Sequence, residues 1–165
     1  MTETKLAWLA GLFDGEGSIG ISRHSPAGSW RALVQMSMTS RETIEETIRI
    51  LREMGITAIG YTYQERDAVN HQDAHYLRVA RLADIDRLAK AMLAYSVTKK
   101  CHWAVMLAFT TSRLQLSEVG SDGRLRRGGD VRTMAKPFTD ADRTCIVTLK
   151  RLNRRGAAAK EAAYA

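Results

Sequence analysis

Nine residues near the start of the chain, Leu9-Ala10-Gly11-Leu12-Phe13-Asp14-Gly15-Glu16-Gly17, constrain its fold more than any other stretch. Leu6, Leu9, Ala10 and Phe13 recur at helical spacing, so a short helix is predicted over residues 3–13, with Thr2 or Thr4 to cap its start. Ala10 and Gly11 leave one face of that helix almost without side chains, where another backbone can approach closely. Two carboxylates, Asp14 and Glu16, then stand in a turn whose glycines permit a sharp change of direction. A carboxylate at a rigid helix end beside a free carbonyl suits a hard cation, and Mg2+ typically keeps waters and takes one or two carboxylates. Taken alone, however, Asp14 and Glu16 read first as ordinary turn or cap acids.

The rest of the chain supplies a setting. A strand is expected over residues 18–23, and Pro26 and Gly28 mark a hairpin loop. Over residues 30–39 the chain alternates, with Ala32, Val34, Met36 and Met38 on one face and Arg31, Leu33, Gln35, Ser37 and Thr39 on the other. Ser40 opens a helix that carries Ile44, Ile48 and Leu51 and stops at Gly55. Strands over 56–66 and 73–82 follow, then a helix capped by Asp84, and another over about 98–111 through Trp103, Met106, Leu107 and Phe109. From residue 116 to 137 glycines alternate with arginines, notably Arg124, Arg126, Arg127 and Arg132, in a basic stretch suited either to phosphate contacts or to simple solvation. Thr139 begins a last helix, acidic at its start and basic at its end, as the helix dipole favours. No internal repeat is present, so a twofold architecture needs a second chain.

At 165 residues the chain is one domain: a core over 1–112 and a basic loop with a helical extension over 113–165. Lys and Arg number 25 against 18 acids, a formal charge of +7, and such an excess favours a polyanion because neutralised phosphates release their counterions. Cys101 and Cys145 form no CxxC or zinc pattern and read as reduced thiols. With no basic-then-apolar leader and no long apolar run, an intracellular location with direct access to DNA is expected.

In this setting the nonapeptide resembles the LAGLIDADG signature almost position for position, with Phe13, Gly15 and Glu16 as ordinary variants. Ser18-Ile19-Gly20-Ile21 enters a strand as in that family, and the αββαββα order matches over roughly residues 5–112. The resemblance implies an α+β fold with an antiparallel four-stranded DNA-binding saddle. It further implies a single-motif homing endonuclease, a homodimer cutting both strands of a long pseudo-palindromic duplex. Leu9, Ala10, Gly11, Phe13 and Asp14 are then expected at the dimer contact, with Asp14 capping the paired helices. Glu16 of each protomer would hold Mg2+, for which Mn2+ would substitute, with the Gly15 carbonyl as second ligand. A basic residue commonly stands before the helix that follows the fourth strand. An ungapped match puts Thr98 there, so Lys99 is favoured, with Lys100 as the alternative, and Thr39 or Ser40 stands where a polar residue orders water.

Arg31, Gln35 and Ser37 are the first candidates for reading base edges, followed by Ser22, Arg23, His24, Gln64, Arg66 and Arg78. Tyr61, Tyr63 and Tyr76 fit either DNA contact or core, and His102 and Trp103 fit packing. Two other readings compete. An RNA maturase that has lost cleavage is disfavoured by the retained acid at Glu16, and a non-cleaving DNA-binding regulator by the lack of an added helix-turn-helix. A free-standing protein of the mobile-intron type is expected, since no intein splice-junction residues flank the domain.

Overall fold

A computed structural model describes residues 1–23, 30–63, 73–115 and 138–154. Helix α1 spans Glu3–Glu16, and Thr2 caps it through a hydrogen bond from the Lys5 backbone N–H. It runs one turn further than its sequence predicts: Asp14, Gly15 and Glu16 are helical, and the chain turns only at Gly17. Gly17 donates its N–H to the Phe13 carbonyl, and a Cβ there would lie 2.6 Å from that same oxygen. The last glycine of the motif is therefore a matter of space, since strand β1 (Gly17–Arg23) leaves the helix with no room for a side chain. Gly17→Ala should cost about 1–3 kcal/mol, the usual range for overpacking, read as a lowered midpoint in chemical denaturation.

Strand β2 (Trp30–Met38) pairs antiparallel with β1, with Ile19 opposite Val34. Helix α2 (Arg41–Glu53) is capped by Ser40, and Gly55 ends it at φ 69°, a conformation that side chains disfavour. Strands β3 (Ile59–Tyr63) and β4 (Ala74–Val79) complete an antiparallel sheet of order β1-β2-β4-β3; β3 begins later and β4 is shorter than the sequence suggests, while 64–66 lie outside the described residues. Helix α3 (Leu82–Leu93) has Arg81 at its N-cap without a side-chain bond. Asp84 is not the cap. It lies inside the first turn and accepts the Thr57 N–H at 3.1 Å, tying the approach to β3 onto α3.

Helices α4 (Lys100–Gln115) and α5 (Asp140–Leu152) follow, the latter closed by a reciprocal capping box between Thr139 and Asp142. The buried acids at the helix contacts are all engaged. Asp86 accepts from Thr110 and Thr111 of α4, and Asp142 accepts from Ser112 and Arg113. Helix α5 also lies against β1, where the Asn153 amide donates to the Ile19 carbonyl, and its Lys150 sits 4.6 Å from the ring centre of Trp30 at the start of β2.

Because successive strand residues face opposite ways, the register assigns each side chain to a face. Ile19, Ile21, Ala32, Val34, Met36, Leu77 and Val79 point into the helix layer and are buried with Leu9, Phe13, Ile85, Leu88 and Trp103. Phe13 meets Trp103 edge to face at 5.5 Å, fixing α1 against α4. The other face has no helix over it among the described residues. No helix among them is long and apolar enough to cross a membrane.

Candidate active site and nucleic-acid interface

The end of α1 and the start of α4 are locked together by a reciprocal contact of opposite charges. The Asp14 carboxylate accepts the backbone N–H groups of Val97 at 2.6 Å, Thr98 at 2.9 Å and Lys99 at 3.0 Å, together with the Ser96 hydroxyl. In return Lys99 Nζ donates to the carbonyls of Phe13 at 2.9 Å, Asp14 at 2.7 Å and Gly15 at 3.5 Å. Each charge thus sits at the helix end whose dipole favours it, the acid before α4 and the ammonium behind α1. Burial pushes the Asp14 carboxyl up, but the Ser96 hydroxyl and the three N–H donors outweigh it and hold the group below its ordinary 3.8. Burial pulls the Lys99 ammonium below its ordinary 10.5, opposed by the charges of Asp14 and Glu16.

Glu16 stands one step beyond this lock. It is exposed, and no hydrogen bond or ion pair among the described residues engages its carboxylate. Within one chain no three His, Cys, Asp or Glu side chains gather among the described residues, so Glu16 and the Gly15 carbonyl could supply at most part of a metal shell. That part suits Mg2+, which keeps several waters and few protein ligands. Thr39 is exposed just past β2 on the Glu16 side of the sheet, since Gly17 pairs with Met36. Lys100 is exposed as the first residue of α4, and Ser40 is committed to capping α2. His102, one turn beyond Lys99, is pulled below its ordinary value by burial and by the Lys99 charge.

The residues expected at a chain–chain contact divide by side. Leu9, Ala10 and Phe13 are fully buried in the chain's own core, and the Asp14 carboxylate is consumed by α4. Only Gly11 of that set faces outward. The exposed side of α1 carries Ala7, Trp8, Gly11 and Gly15, and a Cβ at either glycine would meet nothing within 4 Å. A helix apolar on both sides does not reveal in its sequence which side its own chain covers.

On the open face of the sheet the register aligns two rows. Ser18, Gln35, Arg78 and Ile59 form one, and Ser37, Tyr76 and Tyr61 the other. Ser22 and Arg31 pair further along the β1–β2 ribbon. Ser22, Arg31, Ser37 and Arg78 are exposed and Gln35 is half-buried, so all five share one accessible surface. Arg23 closes β1, while His24, Gln64, Arg66 and the arginine-rich stretch 124–132 lie outside the described residues. The tyrosines on this face carry no signal in composition. Their grouping follows from strand register alone.

Residues 3–92 match the family model of the LAGLIDADG-like domain. The chain belongs to the LAGLIDADG family. No curated protein matches the chain. Among solved structures it is similar to the archaeal intron-encoded homing endonuclease I-Vdi141I complexed with DNA, at a TM-score of 0.61 and 13% identity, covering 94% of this chain and 87% of that one. It is also similar to the meganuclease I-AabMI bound to uncleaved DNA, at a TM-score of 0.57 and 17% identity, covering 95% of this chain but 48% of that one. The homing endonuclease I-CvuI, solved with a DNA target in 2 mM Mg, aligns at a TM-score of 0.52 and 18% identity over 90% of this chain and 96% of that one. The fold is thus that of the LAGLIDADG homing endonucleases, and the αββαββα order expected from the sequence is present with α4 and α5 added.

Proposed function

We propose that this LAGLIDADG protein is a homodimeric, divalent-metal-dependent endonuclease that hydrolyses both strands of a pseudo-palindromic DNA duplex. One observation carries the reading: the exposed Glu16 carboxylate, with no hydrogen bond or ion pair among the described residues, stands at the end of the motif helix beside a polar sheet face. The DNA-bound states of its structural neighbours support the substrate, and the net charge of +7 is of the right sign.

Glu16 and the Gly15 carbonyl would hold Mg2+, with Mn2+ as a substitute. The bound ion would neutralise phosphate charge and activate water. Lys99 holds the last turn of α1, and so sets where Glu16 stands. Lys100 and Thr39 flank the same end of the sheet and are the remaining candidates for contact with phosphate or attacking water. Arg31, Gln35, Ser37, Arg78 and Ser22 face the groove to read base edges.

Pairing through α1 follows from its exposed apolar side, because a helix apolar all round is stable only when covered all round. Twofold pairing there would bring two Glu16 carboxylates together and make the target twofold as well. Gly11→Leu tests this. The monomer has room for the side chain and gains about 0.5–1 kcal/mol of helix propensity, whereas close helix contact is blocked. Sedimentation should find a folded monomer that no longer makes paired cuts; a fully active dimer would move the contact elsewhere.

The direct test incubates the protein with a randomised duplex library and Mg2+, then sequences the cleaved ends. Paired breaks centred on pseudo-palindromes are expected, and EDTA should abolish them. Binding without breaks under every metal would leave a non-cleaving DNA-binding protein instead.

A further inference from the structure

Strand β3 is an unusual sheet border. All five of its residues are exposed, and on the open face it presents Ile59 at 60%, Tyr61 at 44% and Tyr63 at 56% exposure. Edge strands are normally guarded by charge or proline, and this one has neither over Ile59–Tyr63. Tyr61 is fixed: it stacks on Tyr76 of β4 with ring centres 5.0 Å apart and planes 3° from parallel. Arg78 holds its guanidinium 6.0 Å from the Tyr61 ring centre. An aliphatic side chain and a rigid aromatic pair therefore lie beside Arg78 and Gln35, in adjoining rows of one surface.

We propose that Ile59, Tyr61 and Tyr76 read thymine 5-methyl groups in the major groove of the target half-site. This rests on the DNA-binding reading above and specifies the bases that it recognises. Base edges in the major groove offer donors, acceptors and one apolar group, the thymine methyl. The Ile59 side chain and the ring surfaces of Tyr61 and Tyr76 suit that group, while the phenolic hydroxyls remain able to bond neighbouring polar atoms. Its continuity with Gln35, Arg78 and Arg31 sets it within a face that suits a polyanion. A protein partner for the same edge is the competing occupant.

The test uses binding alone, with Ca2+ to prevent cutting. The full chain is equilibrated with a randomised duplex library, a bound duplex is resynthesised, and each thymine is replaced in turn by deoxyuridine, which lacks only the methyl. Wild type should lose about fourfold in affinity for each methyl read, the effect of one buried methyl-sized group. Tyr61→Ser and Ile59→Thr should bind more weakly and be indifferent to uracil at those positions. Arg31→Ala should weaken binding while keeping the uracil effect. Equal affinity for thymine and uracil duplexes throughout would overturn the proposal. So would variants that alter self-association of the free chain but keep uracil sensitivity, since the edge would then serve a protein. Failure to enrich any duplex would instead refute the DNA-binding reading itself.

Discussion

Glu16→Gln should abolish cleavage of both strands while duplex binding persists. The substitution keeps size and shape and removes only the negative charge. Because Glu16 is exposed and makes no hydrogen bond or ion pair among the described residues, the variant should fold as wild type. What disappears is affinity for a divalent ion, and with it several kcal/mol of transition-state stabilisation, a loss of about a thousandfold or more in rate. Binding should be equal or slightly tighter, since one carboxylate fewer faces the phosphates. Single-turnover cleavage and gel retardation on the same duplex separate the two quantities. Wild-type cleavage by Glu16→Gln would remove Glu16 from the metal site.

Asp14→Asn should be the most damaging single change to stability outside the hydrophobic core. The carboxylate accepts three backbone N–H groups and the Ser96 hydroxyl. Asparagine has one acceptor oxygen, and its NH2 would face at least one of these donors. Bonds to charged groups are worth about 1.5–3 kcal/mol each, so losing part of the set should cost about 2–4 kcal/mol. For a chain of this size that lowers the melting temperature by about 10 °C.

The deficit should depend on pH in a definite direction. Asp14 is held below its ordinary 3.8, so its stabilisation is complete above that value and fades as pH falls through the lower folded value. Melting curves of wild type and variant should therefore converge below about pH 4. Cleavage should also fall, since Lys99 and the last turn of α1 lose their anchor and small displacements at a reacting centre cost about a hundredfold. A pH-independent stability gap would show that Asp14 acts by shape rather than charge.

The order of elements was legible because alternation in residues 30–39, helical spacing in 41–53 and glycines at 17 and 55 are local signals. The end of α1 was not. Gly15 looks like a stop, yet it stays helical because Lys99, 84 residues later, holds its turn from outside. Thr98 and Lys99 could not be told apart by alignment either. Their roles separate only in space, where Thr98 offers its N–H to Asp14 and Lys99 sends its ammonium to the carbonyls of α1. Asp84 illustrates the reverse error: a good capping residue is drawn into a longer-range bond with Thr57, and Arg81 takes the cap position by default. Similarly, Tyr61 and Tyr76 become a pair only through the β3–β4 register.

The two borders of the sheet are treated differently. On one side Asn153 of the added helical segment fastens the outer strand through the Ile19 carbonyl. On the other, β3 has no neighbouring strand beyond it among the described residues and carries the exposed Ile59, Tyr61 and Tyr63. Misassembly in concentrated solution should thus proceed from one side of the molecule, and a lysine at position 59 would suppress it. If the same residues read the target, solubility and selectivity compete for one strand, and an engineer gains the first only by surrendering part of the second.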